Sequence, residues 1–374
     1  MGIKLRIAML GQRKVPSREG GIEVVVEELA KRMVKLGYEV TCLNRSRKHI
    51  NEGELAHTYQ GITIKSVWTY NKRGIAAMTS AISATFMAAF GKYDIVHFHA
   101  VGACNNIWLP KLLGKRCIVT VHGLDWQRAK WGRWASAYIK KGEKAAVKYA
   151  DEMIVLSENT KQYFKNVYKR DIKFIPNGAN AVKKKEAKLI KEQFGLDYED
   201  YILFVGRLVP EKGIQYLIEA FKGVDTNKKL VIAGGAADMP DFMVSLKQMA
   251  GGSDKEIIFT DFVQGELLAE LYSNAYMYVL PSDVEGMPLT LIEAMSYGNC
   301  CVVSDIPECT EVVEDKAVIF KKGEVWDLQN CLQKLCDKQE EVDYYRQHTA
   351  DFIGNKHNWD EVVDKTLRLY QGVD

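Results

Sequence analysis

Two glutamates separated by seven residues follow an apolar run in the C-terminal half of this 374-residue chain. Glu285 lies in a Gly/Pro loop, and Glu293 lies about one turn inside the helix that the following apolar residues predict. Carboxylates accept hydrogen bonds from sugar or ribose hydroxyls, whereas the first amides of a helix, here Leu289 and Thr290, can bind a phosphate. The segment therefore indicates a ligand with both hydroxyls and phosphate, and the alternative is a capped surface helix with incidental acids.

Two cations lie five residues apart in the turn that follows the first predicted strand of the same half, Val205-Gly206-Arg207-Leu208-Val209-Pro210-Glu211-Lys212-Gly213. They can converge on one diphosphate, because Arg207 offers a planar fork of donors and Lys212 offers a compact point charge. A pair of solvated surface cations is the alternative interpretation.

A glycine pair, Gly20-Gly21, ends the loop that joins the first predicted strand to the first predicted helix. Consecutive glycines let backbone amides approach a phosphate closely, and the helix N-terminus adds partial positive charge. The loop from Gly11 to Gly21 has neither the G-x-G-x-x-G spacing nor a Walker Lys-Ser/Thr, which disfavours a dinucleotide site. A flexible surface loop is the alternative.

Two parallel sheets are needed to position these residues. Short apolar runs alternate with helical stretches in both halves, and the length suits two domains. The strands predicted in the first half are Leu5–Gly11, Tyr38–Asn44, Ile62–Trp68, Ile95–His99, Cys117–His122, Met153–Leu156 and Lys173–Ile175. Those predicted in the second half are Tyr201–Val205, Lys229–Ala233, Ile257–Thr260, Tyr276–Leu280, Cys301–Ser304 and Val318–Phe320. The sequence therefore predicts an α/β fold with two Rossmann-like, doubly wound parallel-sheet domains.

The predicted domains are residues 1–178 and 179–355, followed by a C-terminal helix at 356–374 that crosses back to the first domain. The turn signal Pro176-Asn177-Gly178 and the charged stretch 183–200 mark the predicted connection. The clearest helix, Ile22–Leu36, has apolar side chains at near-helical spacing and stops at Gly37.

Charge is divided unevenly along the chain. Residues 1–175 carry 30 Lys+Arg against 14 Asp+Glu, and the remainder carries 21 against 34, so the net charges are +16 and −13. The first half is therefore expected to face something anionic. The eight cysteines lie mostly in apolar runs without a Cys-x-x-Cys pair, and we expect reduced thiols of a cytoplasmic protein.

Two segments of the first half bear on membranes. Residues 74–91 hold no charge but are rich in Ala, Ser and Thr, which favours a buried or half-buried helix over a membrane span. The segment from Trp126 to Tyr149 interleaves aromatic residues with seven Lys and Arg against the single acid Glu143. That mixture suits the anionic inner face of a membrane, and an ordinary solvated helix is the alternative. Nucleic acid is disfavoured as a partner because no recognised binding module accompanies the charge.

Together these motifs resemble the retaining glycosyltransferases of family four. Glu285 to Glu293 is similar to that family's E-x7-E element, with the Arg207–Gly213 turn at its usual distance upstream. The resemblance covers nearly the whole chain and includes Gly20-Gly21, Thr120-Val121-His122-Gly123, Pro176-Asn177-Gly178 and Ala233-Gly234-Gly235. It implies the two-domain GT-B fold, with the acceptor on the first domain and the nucleotide sugar on the second.

The resemblance also implies a role for each candidate residue. Glu293 would bind the nucleotide ribose, Glu285 the hydroxyls of the donor sugar, and the two cations the diphosphate, over which the glycine pair would close from the other domain. The implied catalytic residues are His122, Glu285, Arg207 and Lys212. The implied donor-binding residues are Gly20, Gly21, Arg207, Lys212, Glu285, Gly286, Met287, Leu289, Thr290 and Glu293.

Three histidines lie at or near the ends of two predicted strands in the first half. His122 matches the family histidine that touches the donor sugar and helps to align the reaction, and a satisfied core histidine is the alternative. His97 and His99 alternate near the end of another strand and are expected to be packing or acceptor-side residues rather than metal ligands.

The implied reaction needs stabilisation of a leaving diphosphate, whose charge grows while the sugar becomes oxocarbenium-like. No Asp-x-Asp occurs in the sequence, so the cations and backbone amides are expected to stabilise that charge without a metal, and no cofactor is expected beyond the nucleotide-sugar co-substrate. The resemblance implies transfer with retention from a nucleotide-diphosphate sugar to a glycan or a polyprenyl-diphosphate-linked acceptor.

The opening segment from Gly11 to Glu23 is similar to a bacterial subgroup associated with rhamnosyl transfer in capsule and exopolysaccharide assembly. Rhamnose therefore stands beside glucose and galactose as a candidate sugar. A nucleotide-sugar epimerase of the same fold and a non-catalytic nucleotide-sugar sensor remain alternatives. A nicotinamide dehydrogenase is least favoured because the dinucleotide fingerprint is missing.

Overall fold

The computed structural model describes residues 5–45, 56–70, 72, 74–127, 132–236, 239–252 and 254–373. The chain divides into two compact units, one comprising Met1–Asn177 with Trp359–Asp374 and the other Gly178–Asn358. Each unit is built on its own, mostly parallel sheet with helices between successive strands. The predicted α/β class with two Rossmann-like domains is therefore confirmed.

The sheet of the first unit has eight strands. In chain order they are β1 (Arg6–Leu10), β2 (Glu39–Arg45), β3 (Ala56–Tyr59), β4 (Ile62–Val67), β5 (Ile95–His99), β6 (Arg116–Val121), β7 (Glu152–Val155) and β8 (Lys173–Phe174). Their order in space is β3-β4-β2-β1-β5-β6-β7-β8. The central strand β5 is buried at every residue, because crossover helices cover both faces of a parallel sheet.

Strand β3 was not predicted, and it pairs antiparallel with β4, against the expectation of an all-parallel sheet. The two strands join through Gln60 and Gly61, both with positive φ of 49° and 80°. Such a pair of left-handed residues makes the tight turn of a hairpin. The strand was not predicted because it contains polar residues, His57 and Thr58 among them, and no apolar run.

The helices of the first unit before its C-terminal segment are α1 (Gly21–Lys35), α2 (Ala76–Phe90), α3 (Trp108–Leu112), α4 (Arg133–Tyr149) and α5 (Glu158–Tyr168). The predicted helix at 22–36 corresponds to α1, displaced by one residue at each end. A 3₁₀ turn, Val101–Asn106, packs against both α2 and α4. It therefore joins these two helices into one layer.

The sheet of the second unit has six strands, and all of its neighbouring pairs are parallel. They are β9 (Tyr201–Val205), β10 (Lys229–Ala233), β11 (Ile257–Asp261), β12 (Met277–Leu280), β13 (Cys301–Ser304) and β14 (Val318–Phe320). Their spatial order is β11-β10-β9-β12-β13-β14. The two central strands, β9 and β12, are therefore neighbours although two other strands separate them along the chain.

The helices of the second unit are α6 (Leu189–Phe194), α7 (Ile214–Lys222), α8 (Pro240–Ala250), α9 (Gly265–Asn274), α10 (Leu289–Ser296), α11 (Pro307–Val313), α12 (Val325–Asp337) and α13 (Gln339–Lys356). The charged stretch 183–200, predicted to connect the domains, contains α6 and belongs to this unit. Ile190 is fully buried there, and its amide donates to the Glu270 carboxylate at 3.1 Å. The stretch is thus a packed part of the second unit.

The last helix, α14 (Trp359–Gln371), belongs to the first unit and packs against α1. The Arg32 guanidinium lies 3.2 Å from the Asp360 carboxylate and sits over the Trp359 ring. At the other end of α14, Arg116 donates to the Leu369 carbonyl at 2.9 Å. These contacts attach α14 at both ends to elements that lie far from it in sequence.

Within the part of the chain that the structure describes, no helix has the length and apolar character needed to cross a bilayer. Helix α2, which occupies the uncharged segment 74–91, has 15 residues. All eight cysteines are free thiols, and six of them are buried.

Candidate functional site

The second unit brings the two C-terminal motifs together at one edge of its sheet. Strands β9 and β12 pair in parallel, with Ile202 beside Met277 and Leu203 beside Tyr278. Since the carboxyl ends of parallel strands meet at the same edge, the turn after β9 and the loop after β12 are neighbours. Ligands of open α/β sheets bind at this edge.

Gly213 holds the turn against the loop. Its φ of +69° is left-handed, and a Cβ placed there would lie 1.9 Å from the Pro281 carbonyl oxygen. The Asp283 amide also donates to the Glu211 carbonyl at 2.9 Å. Only glycine combines this backbone conformation with so close an approach. The backbone contact therefore sets the place of Lys212, which directly precedes the glycine.

Lys212 and Glu285, assigned to different parts of the donor, form a direct ion pair. The Lys212 Nζ lies 2.5 Å from Glu285 Oε1, and the two side chains are only 13% and 9% exposed. The Ser282 hydroxyl donates to the same carboxylate oxygen at 2.7 Å. A charge-assisted bond between largely buried partners is stronger than one on the surface. The pair thus places one positive and one negative group side by side beside the start of α10.

Glu293 lies on the fifth residue of α10 and accepts a hydrogen bond from the Tyr272 hydroxyl at 3.3 Å. Burial raises the pKa of Tyr272 well above its usual value, with the Glu293 charge adding to the shift, so this hydroxyl stays protonated and donates. The Tyr272 ring also stacks on Tyr297, with 5.4 Å between the centroids. The carboxylate is therefore held by an aromatic side chain that is itself fixed by packing.

The start of α10 carries the remaining donor-binding candidates. Gly286 is buried, whereas Met287, Leu289 and Thr290 are half-buried. The Thr290 side chain accepts a hydrogen bond from Tyr278 at 2.9 Å. As in any α-helix, the first amides of α10 find no carbonyl acceptor within the helix, which suits them to bind an anion.

Arg207 is half-buried in the turn after β9, and the backbone on both sides of it is bonded to the next strand. The Gly206 amide donates to the Ala233 carbonyl and the Leu208 amide to the Gly235 carbonyl, each at 3.0 Å. A Cβ on Gly234 would lie 1.7 Å from the Gly206 oxygen, so the two segments touch through their backbones. The Ala233-Gly234-Gly235 motif thus supports the turn that presents Arg207.

The candidate residues of the first unit include the glycine pair. Gly20 caps the N-terminus of α1, and Gly21 is the first residue of that helix. The preceding loop is tied down, because Val15 and Asn44 exchange two hydrogen bonds of 3.0 and 2.9 Å. The Arg13 amide also donates to the Glu23 carboxylate at 2.8 Å. These bonds argue against the alternative of a flexible surface loop.

His122 follows β6 and is largely buried beside a second histidine. The His99 Nδ1 lies 3.1 Å from the His122 Nε2, and the His97 ring lies against the His99 ring with 4.1 Å between centroids. His97 in turn contacts Tyr370 and Thr120 through its two nitrogens. The packing role expected for His97 and His99 agrees with their complete burial, and His99 also touches the candidate catalytic histidine.

The proton of the buried His99 ring can be placed from its surroundings. Burial lowers the pKa of His99 well below its usual value, and the neighbouring histidines add to the shift, so the ring is neutral. Its Nε2 is buried without a hydrogen-bond partner among the described residues. A buried N–H without an acceptor is costly, so the proton belongs on Nδ1, which donates to His122 Nε2.

Sequence reasoning missed two supporting side chains, Ser282 and Tyr272, and it did not foresee the contact of His99 with His122. Ser282 lies three residues before Glu285 in the same loop, so its proximity in sequence was a usable signal. Tyr272 and His99 reach their partners across the fold, and the spacing of residues along the chain carries no trace of these contacts.

Comparison with known proteins supports the same architecture. Residues 19–183 match the family model of Glycosyltransferase Family 4, and residues 186–352 match that of Glycosyl transferases group 1. An uncharacterized glycosyltransferase of Methanocaldococcus jannaschii is 26% identical, with 98% of each chain covered. The UDP-Gal:alpha-D-GlcNAc-diphosphoundecaprenol alpha-1,3-galactosyltransferase of Escherichia coli is 29% identical over 79% of this chain and 80% of that protein.

Solved structures resemble the whole chain. The sucrose-phosphate synthase of Thermosynechococcus elongatus superposes with a TM-score of 0.82 at 21% identity, covering 98% of both chains. Anabaena HepE, solved in complex with UDP-glucose, gives a TM-score of 0.80 at 16% identity, covering 99% of this chain and 100% of that one. Likeness at this level of identity concerns the fold, and it confirms the predicted GT-B class.

Proposed function

We propose that this chain, which has the GT-B fold and whose two halves match glycosyltransferase family models, is a retaining hexosyltransferase. It would move a hexose from a nucleotide-diphosphate sugar to a glycan or lipid-linked acceptor in bacterial surface polysaccharide synthesis. The observation that carries the proposal is the Lys212–Glu285 ion pair, bonded to Ser282 and set beside the first turn of α10.

In the proposed mechanism the ion pair opens when the donor binds. Lys212 exchanges its carboxylate partner for the diphosphate, and Glu285 becomes free to accept from the hydroxyls of the sugar. As the glycosidic bond breaks, negative charge grows on the diphosphate, and Lys212, Arg207 and the α10 amides stabilise it. Positioned charges of this kind need no reorganisation at the moment of reaction, which lowers the barrier.

The other candidates orient the donor. Glu293, held by Tyr272, would accept from the ribose hydroxyls, and Gly20 with Gly21 would approach the diphosphate through their amides. His122, whose ring contacts His99, would bind the donor sugar. The front-face attack implied by the resemblance would leave the anomeric configuration unchanged without a covalent intermediate.

The names of similar proteins support a nucleotide sugar and a lipid-linked acceptor. HepE was solved with UDP-glucose, and the Escherichia coli relative is named for UDP-galactose and a diphosphoundecaprenol acceptor. Another relative, 28% identical over 58% of this chain, is an O-antigen chain mannosyltransferase of Salmonella typhimurium. We therefore keep glucose, galactose and rhamnose as candidate sugars of UDP, dTDP or GDP.

A donor panel tests the proposal. We expect one nucleotide sugar to bind best and to be hydrolysed slowly without acceptor, with release of the nucleoside diphosphate. Conversion of the donor into its epimer without release would identify an epimerase instead. Binding of a donor without turnover, even with polyprenyl-diphosphate-linked acceptors supplied, would identify a sensor.

We expect transfer to proceed at full rate in excess chelator, because cations and helix amides of the chain itself would neutralise the leaving diphosphate. The measurement compares initial rates with EDTA, with added magnesium and with added manganese. Activity lost in EDTA and restored by either ion would contradict the metal-independent mechanism.

We further propose that the basic surface of α4 docks on anionic lipid at the inner face of the membrane. Glu143, the lone acid of the segment 126–149, is fully buried and accepts hydrogen bonds from Trp126, Tyr163 and Tyr168. The exposed lysines of the helix are Lys140, Lys141, Lys144 and Lys148, whereas Arg128, Lys130 and Trp131 lie outside the described residues. The surface of α4 therefore presents positive charge, whereas the negative charge of Glu143 is buried.

Changing those four lysines to glutamate should markedly lower sedimentation with anionic vesicles at physiological salt, since each basic residue near such a surface contributes about 1 kcal/mol. Raising the salt to about 1 M should release the part of the bound wild-type protein that α4 holds, because the screening length falls to about 3 Å from about 8 Å at physiological ionic strength. The matched control reverses four other basic residues of the first unit, Lys161, Lys165, Lys169 and Lys173. Equal binding to neutral and anionic vesicles, or no loss in the α4 variant, would remove this proposal.

A further inference from the structure

Helices α2 and α3 expose large apolar side chains that their packing leaves uncovered. On α2 these are Ile82, Phe86, Met87 and Phe90, and near α3 they are Trp108, Leu112 and Leu113. Phe90 is 70% exposed and Leu112 is 75% exposed. We call these seven side chains the apolar patch. An exposed group of this kind on a folded unit marks an interaction surface.

Helix α2 has small side chains on its buried face and large apolar side chains on its exposed face, which is the reverse of an ordinary surface helix. Its buried face carries small side chains, among them Ala81, Ala84 and Ala88, whereas Phe86 and Phe90 point outward. A helix that contacts only water has its large apolar residues inside and charged residues outside. Because α2 contains no charged residue at all, its outer face is suited to an apolar environment.

The members of the apolar patch on the two helices are neighbours. Helix α2 packs against α3, and the Lys115 Nζ, just after α3, donates to the Gly91 carbonyl at the end of α2 at 3.0 Å. That bond brings Leu112 and Leu113 close to Phe90. The Phe86 and Phe90 rings lie 6.3 Å apart. The patch therefore has members on both sides of the α2–α3 contact.

Charge around the patch indicates what covers it. Residues 55–142 contain twelve Lys and Arg but only two acids, Asp94 and Asp125. Asp94 is bound to Arg6 at 2.8 Å, and Lys111 is paired with Asp151 at 2.5 Å, so Lys92 and Lys115 are the other cations next to the patch in sequence. A second copy of the chain would bring the same positive charge against itself, which is unfavourable. An anionic lipid surface is complementary to both the apolar side chains and the cations.

We infer that the apolar patch inserts into the headgroup and acyl boundary of an anionic bilayer, with Lys92 and Lys115 at the level of the headgroups. This contact differs from the electrostatic docking of α4, because burial of apolar side chains persists at high salt. The inference rests on the proposed function in one respect: the enzyme would meet a lipid-linked acceptor at this membrane surface. It requires neither a particular donor nor turnover.

The test measures sedimentation with vesicles of phosphatidylglycerol and phosphatidylcholine at physiological salt and at about 1 M salt, where the screening length falls to about 3 Å. The patch variant carries Phe86→Ser, Phe90→Ser and Leu112→Ser. Its matched control carries Val244→Ser and Trp326→Ser, two exposed apolar residues of the second unit. We expect the wild type and the control to keep a salt-resistant bound fraction, and the patch variant to lose at least about tenfold in vesicle affinity.

A label reports insertion directly. An environment-sensitive fluorophore on Leu112→Cys should shift to the blue on adding vesicles, whereas the same label on Val244→Cys should not. Both labelled chains carry Cys331→Ser and Cys336→Ser, because these two native thiols are only half-buried. Unchanged vesicle binding of the patch variant, or no shift at position 112, would overturn the inference. Concentration-dependent dimerisation that only the patch variant loses, with vesicle binding intact, would also overturn it in favour of contact between copies.

Donor hydrolysis in solution separates this inference from the proposed function. The patch substitutions lie on helices that carry none of the candidate donor-binding residues, so hydrolysis should be unchanged when vesicle binding falls. If no donor is turned over by any variant, the proposed function fails, and the vesicle and label measurements still decide on the patch.

Discussion

Lys212→Ala and Glu293→Gln should each lower glycosyl transfer by at least about a hundredfold, because each removes a charged contact to the donor. In Lys212→Ala the growing charge on the diphosphate loses its point cation. In Glu293→Gln the carboxylate that accepts from ribose hydroxyls is replaced by an amide with one acceptor oxygen. Turnover with a verified donor, measured at saturating and at limiting concentrations, separates lost binding from lost transition-state stabilisation.

The structure provides a matched control for both substitutions. Lys321 and Glu324 form an ion pair in the same unit, with 3.5 Å between the charged atoms, and their side chains are well exposed. Lys321→Ala and Glu324→Gln remove the same groups from a surface pair that is expected to contribute little. Both controls should retain wild-type turnover, and far-ultraviolet circular dichroism should be unchanged for all four variants.

Near-normal turnover of Lys212→Ala or of Glu293→Gln would show that the role assigned to that residue is wrong. Lys212→Ala could also lose activity by losing structure, and a stability measurement distinguishes this from the loss of a donor contact. The Glu285 carboxylate would then remain bonded to Ser282 without a cation, and a melting curve would reveal the destabilisation. The additional change Glu285→Gln removes the unpaired charge and should restore stability but not activity.

The strands and the motif positions could be predicted because each depends on residues adjacent in sequence. The run from Ile95 to His99, which follows the polar Asp94, matches β5 to the residue. The starts of α7 and α10 likewise follow from Gly213 and Pro288. Local signals of this kind place a residue on an element, and they place the element's ends within one or two residues.

The contacts of the site could not be predicted, because they depend on the order of strands in space. Lys212 meets Glu285 only because β9 lies beside β12, and 73 residues of chain separate the two side chains. Tyr272 reaches Glu293 from another helix for the same reason. The outward face of α2 was also hidden, since an uncharged helix rich in alanine carries no polar pattern to distinguish its two sides.

Gly213→Ala should destabilise the protein far more than Gly195→Ala, although both glycines are left-handed. Gly195 has a φ of +62° and no atom within 4 Å of the position of an added Cβ, so alanine costs only the backbone strain, about 1–2 kcal/mol. At Gly213 the added Cβ would lie 1.9 Å from the Pro281 oxygen, and overpacking adds about 1–3 kcal/mol to the same strain.

The two variants also differ in what they should do to activity. Relief of the clash at Gly213 must move the turn away from the loop after β12, and the Lys212 ammonium moves with it from Glu285. We therefore expect Gly213→Ala to lower both the urea midpoint and turnover, whereas Gly195→Ala lowers the midpoint slightly and leaves turnover intact. Equal shifts in the two midpoints would contradict the steric argument. A destabilised Gly213→Ala with full turnover would show instead that the contact between turn and loop does not position Lys212.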